Sequence, residues 1–181
     1  NIFYLDSPVS IEDYANRAKE LGHQILSTCN HGFQGNFLNT WLVAQKHNLK
    51  FVFAVEAYWV KDRLALVDGN QRDKTNAHIV LIAKDEIGRR QITAALSEAN
   101  DTGYYYRPRL DLSLLMSLDP AHVMVTTACV AFWGYGLRET ENIVLTLWRK
   151  FGDSFYLEVQ AHKMEEQKRI NSFILSLSRK Y

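Results

Sequence analysis

Cysteine is scarce: Cys29 and Cys129 are the only two in 181 residues. Two are too few for a disulfide framework and fit a reducing compartment. An excess of either charge is also absent, with 21 Lys and Arg against 20 Asp and Glu. No global field therefore draws the chain to nucleic acid or a membrane, and any nucleic-acid contact must be local. No run approaches the ~20 apolar residues of a membrane span, and the stretch FVFAVEAYWV at 51–60 is interrupted by Glu56. No basic-then-apolar leader follows Asn1, and the start reads as cut rather than native. Internal repeats and low-complexity tracts are missing too. What is present is ordinary globular composition, 47% hydrophobic and 23% charged, enough for one domain over 1–181 with a real core but not for two.

The chain alternates helical and strand-like segments. Residues 11–22 place Ile11, Tyr14, Ala15, Ala18 and Leu21 at helical spacing, with Ser10 as N-cap and Gly22 as stop. A strand is expected at 24–29, a helix at 35–47 and a strand at 50–60. Asp68, Gly69 and Asn70 mark 61–75 as a surface loop. The pattern then predicts a strand at 77–83, a helix from Asp85 to Asn100, an aromatic loop GYYYRPRLD at 103–111 and a short helix LSLLMSL before Pro120. A strand at 123–128, a helix at 139–151, a strand at 155–160 and a helix at 164–180 complete it. Such a rhythm implies an α/β fold, with a parallel sheet or barrel and right-handed crossovers.

Four metal-competent residues stand at ends of successive strand segments: His31 after QILSTCN, Glu56 after FVFAV, His78 before IVLIA, and Cys129 after VMVTTA. In parallel α/β sheets such ends converge on one rim, where the chemistry is placed. Imidazole suits Zn²⁺ or Fe, carboxylate suits Mn²⁺ or Mg²⁺, and thiolate adds a soft ligand. Each residue alone has a plainer reading. A histidine opening a strand is usually a hydrogen-bonded structural group, Cys129 a small buried hydrophobe, and Glu56 a solvent-facing edge residue. Tyr104, Tyr105 and Tyr106 read as packing residues rather than a base-stacking platform. His23, His47 and His122 read as surface residues, and His162 receives no role. Only the joint pattern raises the first four.

In chain order, LDS at 5–7, CNHG at 29–32, VEAYWV at 55–60, NAHIVLIAK at 76–84, GYYYRPRLD at 103–111, TTAC at 126–129 and FGDSFYLEVQAHKMEEQKRIN at 151–171 resemble the polymerase-and-histidinol-phosphatase (PHP) domain family. The resemblance is narrower still to the branch at the amino terminus of bacterial and phage DNA polymerase III alpha subunits. It implies a distorted, seven-stranded, TIM-like β/α barrel whose rim binds up to three divalent metals through nine side chains. Asp6, His31, Glu56, His78 and Cys129 match five of those positions. Asn30 stands where the family has an acid. The family's opening His-x-His would precede Asn1 and its closing Asp-x-His would follow Tyr181, so the barrel is expected to be incomplete at both ends, in a fragment of a larger polymerase chain.

The resemblance implies Zn²⁺ or Mn²⁺, with Mg²⁺ a further candidate, Glu56 bridging metals and His31, His78 and Cys129 anchoring them. Glu56, His31 and Arg109 are the catalytic candidates, Arg109 because its planar fork suits a phosphate. Three functions follow: a metal-dependent phosphoesterase, such as a 3′–5′ proofreading exonuclease; a structural PHP domain that stabilises a polymerase or docks replisome subunits; and a stand-alone small-molecule phosphatase, against which the aromatic loop and Glu-Gln-rich carboxyl segment argue. The first leads. It implies DNA as partner through the parent polymerase, contacts with other polymerase domains and replisome subunits, no membrane, and a cytoplasmic setting.

Overall fold

The computed structural model describes residues 9–67, 69, 71–75 and 77–181. Asp6, Asp68 and Asn70 lie outside the described residues. The first helix, α1 (Ile11–Glu20), opens on a capping box: Ser10 Oγ accepts from Asp13 N while the Asp13 carboxylate accepts from Ser10 N. Strand β1 (Ile25–His31) follows, then α2 (Phe37–Lys46) and β2 (Lys50–Trp59). Glu12 of α1 meets both Lys46 and His47 at 2.7 Å, so His47, expected at the surface, is tucked against the neighbouring helix.

Between β2 and the next long strand there is no helix among the described residues. The segment instead carries a small hairpin, β3 (Leu66–Val67) with β4 (Gln71–Arg72), before β5 (Ala77–Ala83). A short connection of this kind returns the chain antiparallel, whereas a parallel neighbour needs a helical crossover. Accordingly β5 runs antiparallel to β2, which corrects the all-parallel expectation. Helix α3 (Glu86–Gly103), β6 (Arg109–Leu110), α4 (Leu112–Ser117), β7 (Val123–Thr126), α5 (Leu137–Phe151), β8 (Phe155–Tyr156) and α6 (Glu165–Lys180) complete the order.

The result is a mixed α/β fold. Its six-stranded sheet has the order β1-β2-β5-β7-β8, and β6 pairs with β2 at Tyr58–Trp59, just past the residues that β1 covers. Among the described residues the sheet is open rather than closed into a ring. β1 and β2, β2 and β6, and β7 and β8 are parallel, while β5 is reversed against both neighbours.

Alternation along the strands divides the sheet into two faces. Val55, Ala57, Trp59, Ala77, Ile79, Leu81, Val123 and Val125 are fully or almost fully buried beneath α3, α5 and α6. Each large apolar side chain buried this way contributes ~1.5–3 kcal/mol. The alternate residues, among them Glu56, His78, Val80, Ile82, Met124 and Thr126, are only partly buried. One close approach fixes α3 on this frame. A Cβ at Gly88 would stand 2.0 Å from the carbonyl oxygen of His122, while Asp85 caps Gly88 N and meets His122 Nδ1 at 2.6 Å.

Candidate metal centre at the strand rim

Reversal of β5 brings its amino end to the rim formed by the carboxyl ends of β1, β2 and β7. Register then aligns His31 with Glu56, Glu56 with Val80, and Tyr58 with His78. Side chains two apart on β2 share a face, so Glu56 and Tyr58 both point to the partly buried side. Cys129 arrives just after β7, at the start of a 3₁₀ turn over Val130–Trp133.

His31, Glu56 and His78 each present one ligand atom to a group in which all three atoms lie within 4.8 Å of one another. His78 Nδ1 is 2.9 Å from Glu56 Oε1, and His31 Nδ1 is 3.4 Å from Glu56 Oε2. Cys129 Sγ adjoins them, 3.4 Å from His78 Nδ1 and 3.6 Å from Glu56 Oε1. Tyr58 stacks on His31 at 6.3 Å and meets the His78 ring edge-on at 5.2 Å, limiting the rotation of both imidazoles.

The electrostatics couple these groups. Burial pushes the Glu56 carboxyl up, but hydrogen bonding from His78, the His31 and His78 charges and the Cys129 thiol outweigh it and hold it below its ordinary 4.5. For His78, burial favours the neutral ring, yet hydrogen bonds to Cys129 and Glu56 prevail and raise it to about 9. A cation would compete with protons for these same lone pairs. Two imidazoles, a carboxylate and an adjacent thiol fit a borderline divalent ion such as Zn²⁺ in both donor chemistry and grouping.

Other expected residues fall elsewhere. Asn30 alternates to the opposite face, opposite the fully buried Val55, away from the imidazoles. Arg109 is 4% exposed. Its Nε donates to Gly103 O at 2.9 Å, Nη1 to Asp73 O at 2.7 Å and Nη2 to Arg63 O at 3.3 Å, so its fork is spent on backbone carbonyls rather than offered to a phosphate. Arg107, two residues earlier, is the exposed arginine. It lies over the Tyr58 ring at 4.6 Å and, with His31, lines a cleft of about 700 Å³. Sequence reasoning missed Tyr58 and Arg107. The i, i+2 spacing from Glu56 was an available signal for Tyr58; nothing in YYYRPRL says which arginine turns outward. Glu158, accepting from Thr126 Oγ1 at 3.0 Å and from Gln160 Nε2 at 2.9 Å, was also missed.

Gly32 sets the exit from β1. Its φ is +72°, its N–H donates to Glu56 O at 2.8 Å, and a Cβ there would stand 2.6 Å from Tyr58 Cε2. Gly32→Ala is expected to cost ~1–3 kcal/mol, from the left-handed backbone and the displaced ring. Thermal denaturation beside metal titration checks this; unchanged values in both would show that the turn does not hold His31.

A mixed α/β sheet with a His/Glu/Cys cluster at its rim defines a protein class able to hold a cation there. The chain belongs to the PHP domain family, whose match covers residues 1–162. It is 28% identical over 187 residues to the DNA polymerase III subunit alpha of Aquifex aeolicus and 27% identical over 181 residues to that of Borreliella burgdorferi. These alignments cover 98% and 97% of this chain but 16% of each relative, so the chain spans about a sixth of their length. Among solved structures, an amidohydrolase from Chromobacterium violaceum overlaps 51% of this chain and 28% of its own at 15% identity and a TM-score of 0.35; nothing here rests on so slight a likeness. No helix among the described residues is long and apolar enough to cross a membrane.

Proposed function

We propose that this chain is the PHP domain of a replicative DNA polymerase III alpha subunit, and that its rim cluster serves metal-dependent phosphoester hydrolysis as a 3′–5′ proofreading exonuclease. The meeting of His31, Glu56 and His78 within 4.8 Å carries the reading, in a chain whose relatives are DNA polymerase III alpha subunits. His31, Glu56, His78 and Cys129 would hold Zn²⁺ or Mn²⁺, with Mg²⁺ a further candidate and Asp6 a further ligand. Such an ion supplies Lewis-acid charge to phosphate oxygens and acidifies the attacking water.

The protein's own groups have distinct parts. Glu56 is kept ionised by its hydrogen-bonding neighbours and offers two oxygens, which suits a bridging role. The His78 and Glu56 side chains are 12% and 17% exposed and form the inner wall, whereas His31, 45% exposed, faces the cleft and the incoming substrate. A seven-stranded barrel completed by further strands, DNA and replisome subunits as partners, and a cytoplasmic setting belong to the same proposal. The alternative is a scaffolding PHP domain without catalysis, favoured by the fact that three donors, not the family's nine, meet closely among the described residues.

In the full-length protein, Glu56→Ala or His31→Ala is expected to abolish Mn²⁺- or Zn²⁺-dependent release of a 3′-terminal nucleotide while nucleotide incorporation continues. Calorimetric titration with MnCl₂ should show the matching loss of binding. Equal loss of both activities, or no metal uptake by the unsubstituted protein, would instead favour the scaffold.

A further inference from the structure

The cleft beside the rim contains groups that neither metal binding nor folding uses. Arg107 is exposed, and its contact is the face of Tyr58; among the described residues it has no carboxylate partner. Tyr106 is 76% exposed although bulky and apolar, and its backbone is held at φ +60°, a region that non-glycine residues occupy at a cost. Among the described residues its one aromatic partner is Tyr105, at 4.6 Å, and most of the ring stays open to solvent. The cleft, which His31 also lines, therefore offers a cation and an open aromatic face.

We propose that Arg107 and Tyr106 form a binding subsite for single-stranded DNA beside the metal cluster. A backbone phosphate sits on the Arg107 fork, and the adjoining base stacks on Tyr106. A planar guanidinium matches phosphate oxygens in pairs, and an exposed aromatic ring stacks any base. Asp101, which lines the same cleft, repels phosphate and so favours its seat on Arg107. The strand then runs toward His31, which rests on the phosphoesterase reading above for its substrate class.

The test is photo-cross-linking of the full-length protein, in EDTA, to an oligodeoxythymidylate carrying 5-iodo-deoxyuridine near its 3′ end, with adducts mapped by peptide mass spectrometry. An adduct is expected on the 104–107 segment. Its yield should fall ~5–100-fold in Tyr106→Ala, the range of a lost base–aromatic stack, recover in Tyr106→Phe, and fall several-fold in Arg107→Ala with melting unchanged. No adduct on this segment, or a yield indifferent to Arg107→Ala, would overturn the subsite. Because the reaction is run without metal, the adduct should persist in Glu56→Ala. Failure of the metal proposal thus leaves the adduct in place, and failure of the adduct leaves metal titration intact.

Discussion

Asp111→Ala is expected to destabilise the protein by ~3 kcal/mol, the lower end for breaking a buried ion pair by removing one partner. Asp111 is 5% exposed and meets Arg63 Nη1 at 2.7 Å. Its other oxygen accepts from Leu114 N at 3.1 Å and Ser113 Oγ at 2.6 Å, capping α4. The lower end applies because Glu98, at 3.5 Å, still faces Arg63 after the substitution. Asp111→Asn keeps the cap and loses the charge, so it should cost less.

The pH dependence follows from the same contacts. Burial alone would raise the Asp111 carboxyl; the Ser113 hydroxyl, the Leu114 and Arg63 amides and the Arg63 guanidinium outweigh it and hold it below the ordinary 3.8. A carboxyl depressed in the folded state contributes stability that is full above its unfolded value and is lost as pH falls through its folded value. The gap between the unsubstituted protein and Asp111→Ala should therefore be constant near neutrality and close below about pH 4. Urea denaturation at several pH values measures it. A gap that stays constant into strong acid would mean that the charge contributes nothing.

Arg109→Ala should also cost ~3 kcal/mol or more. It orphans the carbonyls of Gly103 and Asp73 and leaves that of Arg63 to Arg72 Nη1 alone, at 3.3 Å, and an unsatisfied buried polar group costs ~1–3 kcal/mol. Two of these carbonyls flank the hairpin segment between β2 and β5. Hydrogen exchange there should accelerate more than in β5 itself. Per folded molecule, the hydrolysis proposed for the rim cluster should be unchanged. A variant that melts normally but loses hydrolysis would restore the phosphate-binding role that the sequence suggested.

Much of the site was legible in the sequence. His31, Glu56, His78 and Cys129 were marked by their places at strand ends, and the structure brings all four together. Composition and periodicity set the alternation of helices and strands and their approximate bounds, because apolar spacing and capping residues act locally. The family was likewise written in its motifs, from CNHG to YLEVQ.

Direction and facing were not local properties. His78 reaches the rim only because β5 is reversed, and that depends on the chain returning through a hairpin rather than a helix. The choice between Arg107 and Arg109 depended on where the loop ends, since Arg109 opens the two-residue strand and meets packed carbonyls, whereas Arg107, still in the loop before it, lines the cleft. Sequence determined which residues this protein possesses and which elements they form; tertiary structure decided which donors meet, since partners distant along the chain become neighbours only through strand register and direction.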